Sequence, residues 1–297
     1  MFKKVLIPLD FSGYSQKILD RIGEIPGIEE IVLLHVVDAT RPVGLVWKNG
    51  NPELKDTQVL LEEKKKFLEN LGFNVNVRAD VIVNAITQGT VALAILEIAE
   101  TENVSLIIMG ARGINPIQSL LLGSVSSSVL RNAKTNVLIM HFNPAKDSTR
   151  VSSGTVHQTL FSKVLVPTDF SRSAGEASAF VKTIPGIREI IFLHVVNRVE
   201  SDKEIEVFLK DAETRLSDLK REYTDTGVEV KLHVITGDPT ETILSVAEQD
   251  DVSLIAMSAY GTDWLREILL GSTTFTVVRS TQTPVLVIRT VQENNIR

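Results

Sequence analysis

Three glycines and the residues after the last of them have the types and spacing to hold an anion. Gly110 comes directly after an apolar run, Gly113 and Gly123 follow it, and Ser124 and Val125 open a segment of helical pattern. The first N–H groups of a helix have no partner within it, and with the helix dipole they favour a phosphate. We expect glycine at 110, 113 and 123 to let the backbone approach a ligand closely and turn with positive φ. The alternative interpretation is that these glycines serve only in turns and helix caps and contact no ligand.

The elements that carry these residues follow from short apolar runs that alternate with longer segments of helical period. Runs rich in Val and Ile predict strands at 5–9, 31–37, 75–83, 105–110 and 136–141. We expect an α/β fold with an open five-stranded parallel sheet, in the order 3-2-1-4-5, and helices on both faces. The ligand crevice of such a sheet lies at the carboxyl ends of strands 1 and 4, beside Asp10 and Gly110.

The sequence contains this domain twice. The segment KVLIPLDFS from Lys4 recurs as KVLVPTDFS from Lys163, and LLGS ending at Ser124 recurs as LLGS ending at Ser272. We therefore expect a first domain at 1–142, a linker at 143–159 and a second domain at 160–290.

Composition and missing motifs exclude several classes of function. A net charge of -6 without any block of Lys and Arg argues against nucleic acid or an anionic membrane as a partner. No apolar stretch approaches the ~20 residues of a membrane span, which predicts a cytoplasmic protein. The chain has no cysteine, its histidines lack metal-ligand spacing, and it has no P-loop or dinucleotide turn. We accordingly expect no catalytic residue and no metal ligand.

The chain resembles the nucleotide-binding branch of the universal stress protein family in three motifs: Pro8-x-Asp10, His35-Val36-Val37 and Gly110-x2-Gly113-x9-Gly123-Ser124. The resemblance implies a bound adenine nucleotide, AMP or ATP, with Mg²⁺ as an optional companion of ATP. It implies that Asp10 lies near the ribose and the Val36 backbone near the adenine edge. The full set of implied contact residues is Pro8, Asp10, Val36, Gly110, Gly113, Gly123, Ser124, Val125 and Ser126. It also implies that the two halves form an intramolecular pseudo-dimer; further homo-oligomerisation stays open.

The second copy departs from these motifs at its glycine segment. Ser258 stands in place of Gly110, and Tyr260 in place of Arg112. The added side chains are expected to narrow the slot or stack on the ligand, and the loss of a positive charge disfavours triphosphate. A second, weaker or AMP-preferring site is therefore predicted around Asp169, Val195, Gly261, Gly271 and Ser272.

Three functions follow from this reasoning. The favoured one is a nucleotide-binding regulatory module without dedicated catalysis. A slow ATPase or phosphotransferase, in which Asp10 or a divalent ion positions water, is the first alternative, and a non-binding structural pseudo-dimer that recruits partners is the second. His35 and His194 lie within apolar strands, where a hydrogen-bonded core histidine is a better interpretation than a catalyst.

Overall fold

The chain divides into two compact units, Met1–Met140 and His141–Arg297. The computed structural model describes residues 1–37, 52–73, 76–83, 91–112, 122–142, 159–197, 202–261 and 270–289. Gly113 and residues 143–158 of the expected linker lie outside these ranges.

The first unit alternates strands and helices along the chain. Its elements are β1 (Lys4–Pro8), α1 (Gly13–Asp20), a 3-10 turn (Ile22–Glu24), β2 (Glu30–Val37), α2 (Pro52–Asn70), β3 (Asn76–Val83), α3 (Val91–Thr101), β4 (Leu106–Gly110), α4 (Ser124–Asn132) and β5 (Asn136–Met140). All strand pairs of this unit are parallel, and they run β3-β2-β1-β4-β5 across the sheet.

The second unit repeats the arrangement. Its elements are β6 (Lys163–Pro167), α5 (Arg172–Lys182), β7 (Glu189–Val196), α6 (Asp202–Arg221), β8 (Glu229–Thr236), α7 (Pro239–Gln249), β9 (Leu254–Ser258), α8 (Ser272–Ser280) and β10 (Val285–Ile288). These strands also pair in parallel, in the order β8-β7-β6-β9-β10.

Consecutive buried residues explain why these segments form the centre of each sheet. Val5, Leu6 and Ile7 of β1 are fully buried, and so is Leu106 at the start of β4. A strand buried on neighbouring positions must be covered on both faces, because successive side chains point to opposite sides. The predicted α/β class is thereby confirmed.

The central position of β1 sets the place of the crevice. This strand lies between β2 and β4, and all three run in the same direction. The segments that leave β1 at Pro8 and β4 at Gly110 therefore emerge at the same end of the sheet.

Within the described ranges, no helix is both long enough and apolar enough to cross a membrane.

Candidate functional site

A tight turn at the end of β1 fixes Asp10. Its Oδ1 accepts a hydrogen bond from the Ser12 amide at 3.0 Å. Ser12 in turn caps α1, because its hydroxyl oxygen accepts from the Ser15 amide at 3.2 Å. Between them, Phe11 adopts φ 56°, a left-handed conformation that is uncommon for a residue with a side chain. The start of α1 thus holds the Asp10 carboxylate at the carboxyl end of the sheet.

Gly110 lies where the chain closely approaches itself. A Cβ atom at this position would lie 3.0 Å from the Arg112 carbonyl oxygen, which is tighter than ordinary contact. Ser126 donates its hydroxyl hydrogen to the Gly110 carbonyl at 2.8 Å and is 6% exposed. The structure therefore places Ser126 at the site as a brace between α4 and β4, with its one donor hydrogen bound within the protein.

Gly123 caps α4 without any side chain. Its φ of -73° and ψ of 161° are extended, and Gly110 does not have positive φ either, so the prediction of left-handed glycines is wrong at both. The Gly123 amide instead donates to the Ala111 carbonyl at 2.6 Å, which ties the helix start to the end of β4. No side chain caps the first turn, and Ser124 is exposed. The amides of that turn can therefore take an anion as their cap.

Other helices of the chain show what the glycine cap changes. α1, α5 and α7 begin with Ser12, Ser171 and Asp238, each of which accepts a hydrogen bond from an amide of the first turn. α4 and α8 begin with Gly123 and Gly271, and neither has a side-chain cap. The glycine caps occur in the two helices that follow β4 and β9, beside the crevice.

In the second unit, the carboxylate and the glycine segment meet across the crevice. Asp169 Oδ1 accepts from the Ser171 amide at 2.9 Å, as Asp10 does from Ser12. A Cβ atom at Gly261 would lie 2.8 Å from Asp169 Oδ2, so a larger residue there would require the carboxylate to shift. The structure thus brings Asp169 and Gly261 together, as the sequence predicts for two residues of one site.

Tyr260 is held in place by residues that the first unit does not have. Ser258 and Ser173 both donate to its carbonyl oxygen, at 2.7 and 2.9 Å. Arg289, which follows β10, donates to its hydroxyl at 3.0 Å. Burial lowers the pKa of the Arg289 guanidinium, while the contact with Tyr260 raises it. Tyr260 stands where the first unit has Arg112, and Arg289, which is 8% exposed, brings another guanidinium to its hydroxyl. Weaker binding of triphosphate in the second unit stays a prediction.

His35 and His194 make the same contact in their two units. His35 Nδ1 lies 2.6 Å from the Leu9 carbonyl oxygen, and His194 Nδ1 lies 2.8 Å from that of Thr168. The predicted hydrogen bonds are confirmed, but both histidines are partly exposed rather than in the core. The sequence analysis did not identify the acceptors, nor the rings of Phe11 and Phe170 that pack on the imidazoles with centroids 4.6 and 4.4 Å apart. Recurrence of Asp-Phe-Ser in both copies was the available signal.

The remaining predicted residues lie at strand ends and helix starts, each within its own unit. Pro8 is the last residue of β1 and pairs with Leu34, while Val36 and Val195 lie near the ends of β2 and β7. Val125 and Ser272 lie in the first turns of α4 and α8. Among the residues that the structure describes, no three His, Asp or Glu side chains gather in a way that could hold a metal ion.

These features define a tandem α/β protein in which each unit has a crevice between a strand-end aspartate and a glycine-capped helix. The family model described as "Universal stress protein family" matches residues 1–141 and 160–289. The chain belongs to the universal stress protein family.

Individual relatives match either one unit or the whole chain. A universal stress protein of Methanocaldococcus jannaschii is 32% identical over 155 residues, which cover 44% of this chain and 96% of that protein. The protein YxiE of Bacillus subtilis is 33% identical over 150 residues, 47% of this chain and 99% of its own. The crystal structure of a universal stress protein from Archaeoglobus fulgidus has a TM-score of 0.71 and 27% identity, and covers 99% of both chains.

Proposed function

We propose that the first unit binds an adenine nucleotide, ATP or AMP, and that the protein acts as a nucleotide-binding regulatory module. The observation that carries the proposal is the uncapped start of α4 at the end of the sheet that also holds the Asp10 carboxylate. The amides of Ser124 and Val125 would hold phosphate oxygens. They are the first two N–H groups of α4, and the glycine that caps this helix has no side chain to accept from them. Asp10 would accept hydrogen bonds from the ribose hydroxyls.

Membership of the universal stress protein family supports the same proposal, because the first unit carries the glycine motif of the nucleotide-binding branch. The second unit keeps Asp169, Gly261, Gly271 and Ser272, and we extend the proposal to it with altered affinity. Mg²⁺ would reach the first unit as a companion of the ATP phosphates, which prefer this ion.

Release of bound nucleotide tests the proposal directly. The purified full chain is denatured, and the supernatant is analysed for AMP, ADP and ATP by chromatography and mass spectrometry. Protein freed of ligand is then titrated calorimetrically with ATP and AMP, with and without Mg²⁺. We expect saturable binding of at least one nucleotide. No released nucleotide and no heat of binding up to millimolar ligand would refute the proposal.

A further inference from the structure

The alternating direction of backbone groups in β2 determines what Val36 can contact. In a strand, the N–H and C=O groups of every second residue point to the same neighbouring strand. The Leu9 amide donates to the Leu34 carbonyl at 2.7 Å, so the backbone N–H and C=O groups of Leu34 point toward β1 and the residues that follow it. Val36, two residues further on, points the same way. The next step of a regular ladder would join the Val36 amide to the Leu9 carbonyl.

The imidazole of His35 is hydrogen-bonded to the Leu9 carbonyl instead. Because a carbonyl oxygen only accepts, His35 Nδ1 must carry the hydrogen and donate it across the 2.6 Å to Leu9. Within the described ranges, no hydrogen bond joins the Val36 amide to Leu9. The His35 side chain therefore donates to the carbonyl that a regular ladder would pair with the Val36 amide.

The second unit repeats the substitution with its own residues. The Thr168 amide donates to the Leu193 carbonyl at 2.9 Å, and His194 Nδ1 lies 2.8 Å from the Thr168 carbonyl. In this described part of the chain too, the Val195 amide makes no hydrogen bond to that carbonyl. The arrangement is thus kept in a unit whose glycine segment has changed.

An aromatic ring fixes the plane of each imidazole. Phe11 packs on His35 with an interplanar angle of 32°, and Phe170 packs on His194 at 28°. In the second unit the Arg215 guanidinium lies over the ring of Phe170, 4.7 Å from its centroid. Rotation of the imidazole away from its carbonyl would break both the hydrogen bond and this stacking.

We propose that His35 is a positioning residue that keeps the Val36 N–H, beside the C=O of the same residue, available for the base of a nucleotide, and that His194 does the same for Val195. The inference rests on the proposed function for the identity of the ligand. Adenine offers an acceptor at N1 beside a donor at its N6 amino group, which fits a backbone donor beside an acceptor. Guanine offers the reverse pattern at these atoms. The second unit accordingly keeps a subsite for adenine despite Ser258 and Tyr260.

Replacement of His35 by leucine and by asparagine tests the inference in the full chain. Leucine has no donor, so the Val36 amide can close the ladder onto the Leu9 carbonyl. Asparagine keeps an N–H donor near the position of Nδ1. Hydrogen exchange of the Val36 amide is measured without nucleotide, and ATP, AMP and GTP are titrated calorimetrically. His194→Leu is the matched variant for the second unit, and circular dichroism verifies the fold of each protein.

We expect His35→Leu to slow exchange at Val36 and to weaken ATP binding at the first site about fivefold or more, as expected for losing the hydrogen bond of the Val36 amide. His35→Asn should keep the affinity within about threefold of the wild type, since its donor remains. His194→Leu should leave the first site unchanged and slow exchange at Val195.

Unchanged exchange at Val36 together with unchanged affinity in His35→Leu would overturn the inference. Equal loss of affinity in the leucine and asparagine variants, without slower exchange, would overturn it as well, because the effect would then be one of packing. If wild-type protein binds no nucleotide but Val36 becomes protected in His35→Leu, the proposed function fails while the role of His35 at Leu9 is supported. The exchange measurement thus separates the two claims.

Discussion

Replacement of Gly123 by aspartate should stabilise the protein and weaken its binding of nucleotide at the same time. The extended φ and ψ of Gly123 suit any residue, and a Cβ atom there would lie 3.4 Å from the Ala111 carbonyl oxygen, an ordinary contact. An aspartate cap would accept a hydrogen bond from the Val125 or Ser126 amide. It should contribute a few tenths of a kcal/mol as a cap and about 0.3–1 kcal/mol through the helix dipole.

The same carboxylate would repel a phosphate bound at the start of α4. At a separation of roughly 4 Å, the repulsion between two unit charges is about 1 kcal/mol in water and about 4 kcal/mol at an effective dielectric constant of 20. Because about 1.4 kcal/mol corresponds to a tenfold change in affinity, ATP binding should weaken roughly 5- to 700-fold. AMP has less charge and should lose less.

Thermal unfolding and calorimetric titration measure the two effects on one sample. Gly123→Asn is the matched control, since it caps the helix without a charge; it should stabilise the protein and weaken ATP binding less than aspartate does. Gly271→Asp makes the same change in the second unit and should leave the first site unaffected. If Gly123→Asp raises Tm but binds ATP as tightly as the wild type, phosphate does not lie at the start of α4.

Three further outcomes are expected. Asp10→Asn keeps an acceptor for the Ser12 amide but loses the charge; affinity for ATP should fall by about fivefold to tenfold at unchanged Tm, and equal affinity in titrations would contradict a ribose contact. Phosphate release from ATP should stay far below the ~10 per second typical of enzymes; a faster rate that disappears in Asp10→Asn would favour an ATPase. Ser126→Ala should lower the free energy of unfolding by about 1 kcal/mol through loss of its bond to Gly110, and Thr274→Val should match it through loss of the bond to Ser258; denaturant titrations without any decrease would contradict the bracing role.

The elements of each sheet could be predicted because their signal is local. Apolar residues on consecutive positions, as at 105–110, predicted a strand buried on both faces, and the structure has Leu106–Gly110 there. The predicted start of β1 at Val5 differs from the observed Lys4 by one residue, which is the usual uncertainty of an element boundary. The opposition of Asp169 and Gly261 followed from the topology of parallel sheets.

Contacts between residues far apart in sequence could not be predicted in the same way. Arg289 lies 29 positions from Tyr260, and no local pattern says that a guanidinium after the last strand would reach that hydroxyl. The conformation of Gly123 was missed because a glycine is equally suited to an extended cap and a left-handed turn. Ser126 was predicted as one of the contact residues that the family resemblance implies, and its hydrogen bond to the Gly110 carbonyl joins residues 16 positions apart that meet only in the folded chain.

The left-handed conformation of Phe11 and Phe170 has a consequence for protein engineering. From backbone conformation alone, glycine would be the better residue at both positions. A left-handed conformation, with φ of 56° and 58°, destabilises a residue with a Cβ atom by roughly 1–2 kcal/mol. Each ring, however, packs on a histidine whose Nδ1 is hydrogen-bonded to the residue that follows the first strand of its unit. A redesign that placed glycine there to relieve the backbone would remove the ring that packs on the imidazole. A mutation introduced for thermostability would therefore make the histidine more mobile at the end of the strand beside the crevice.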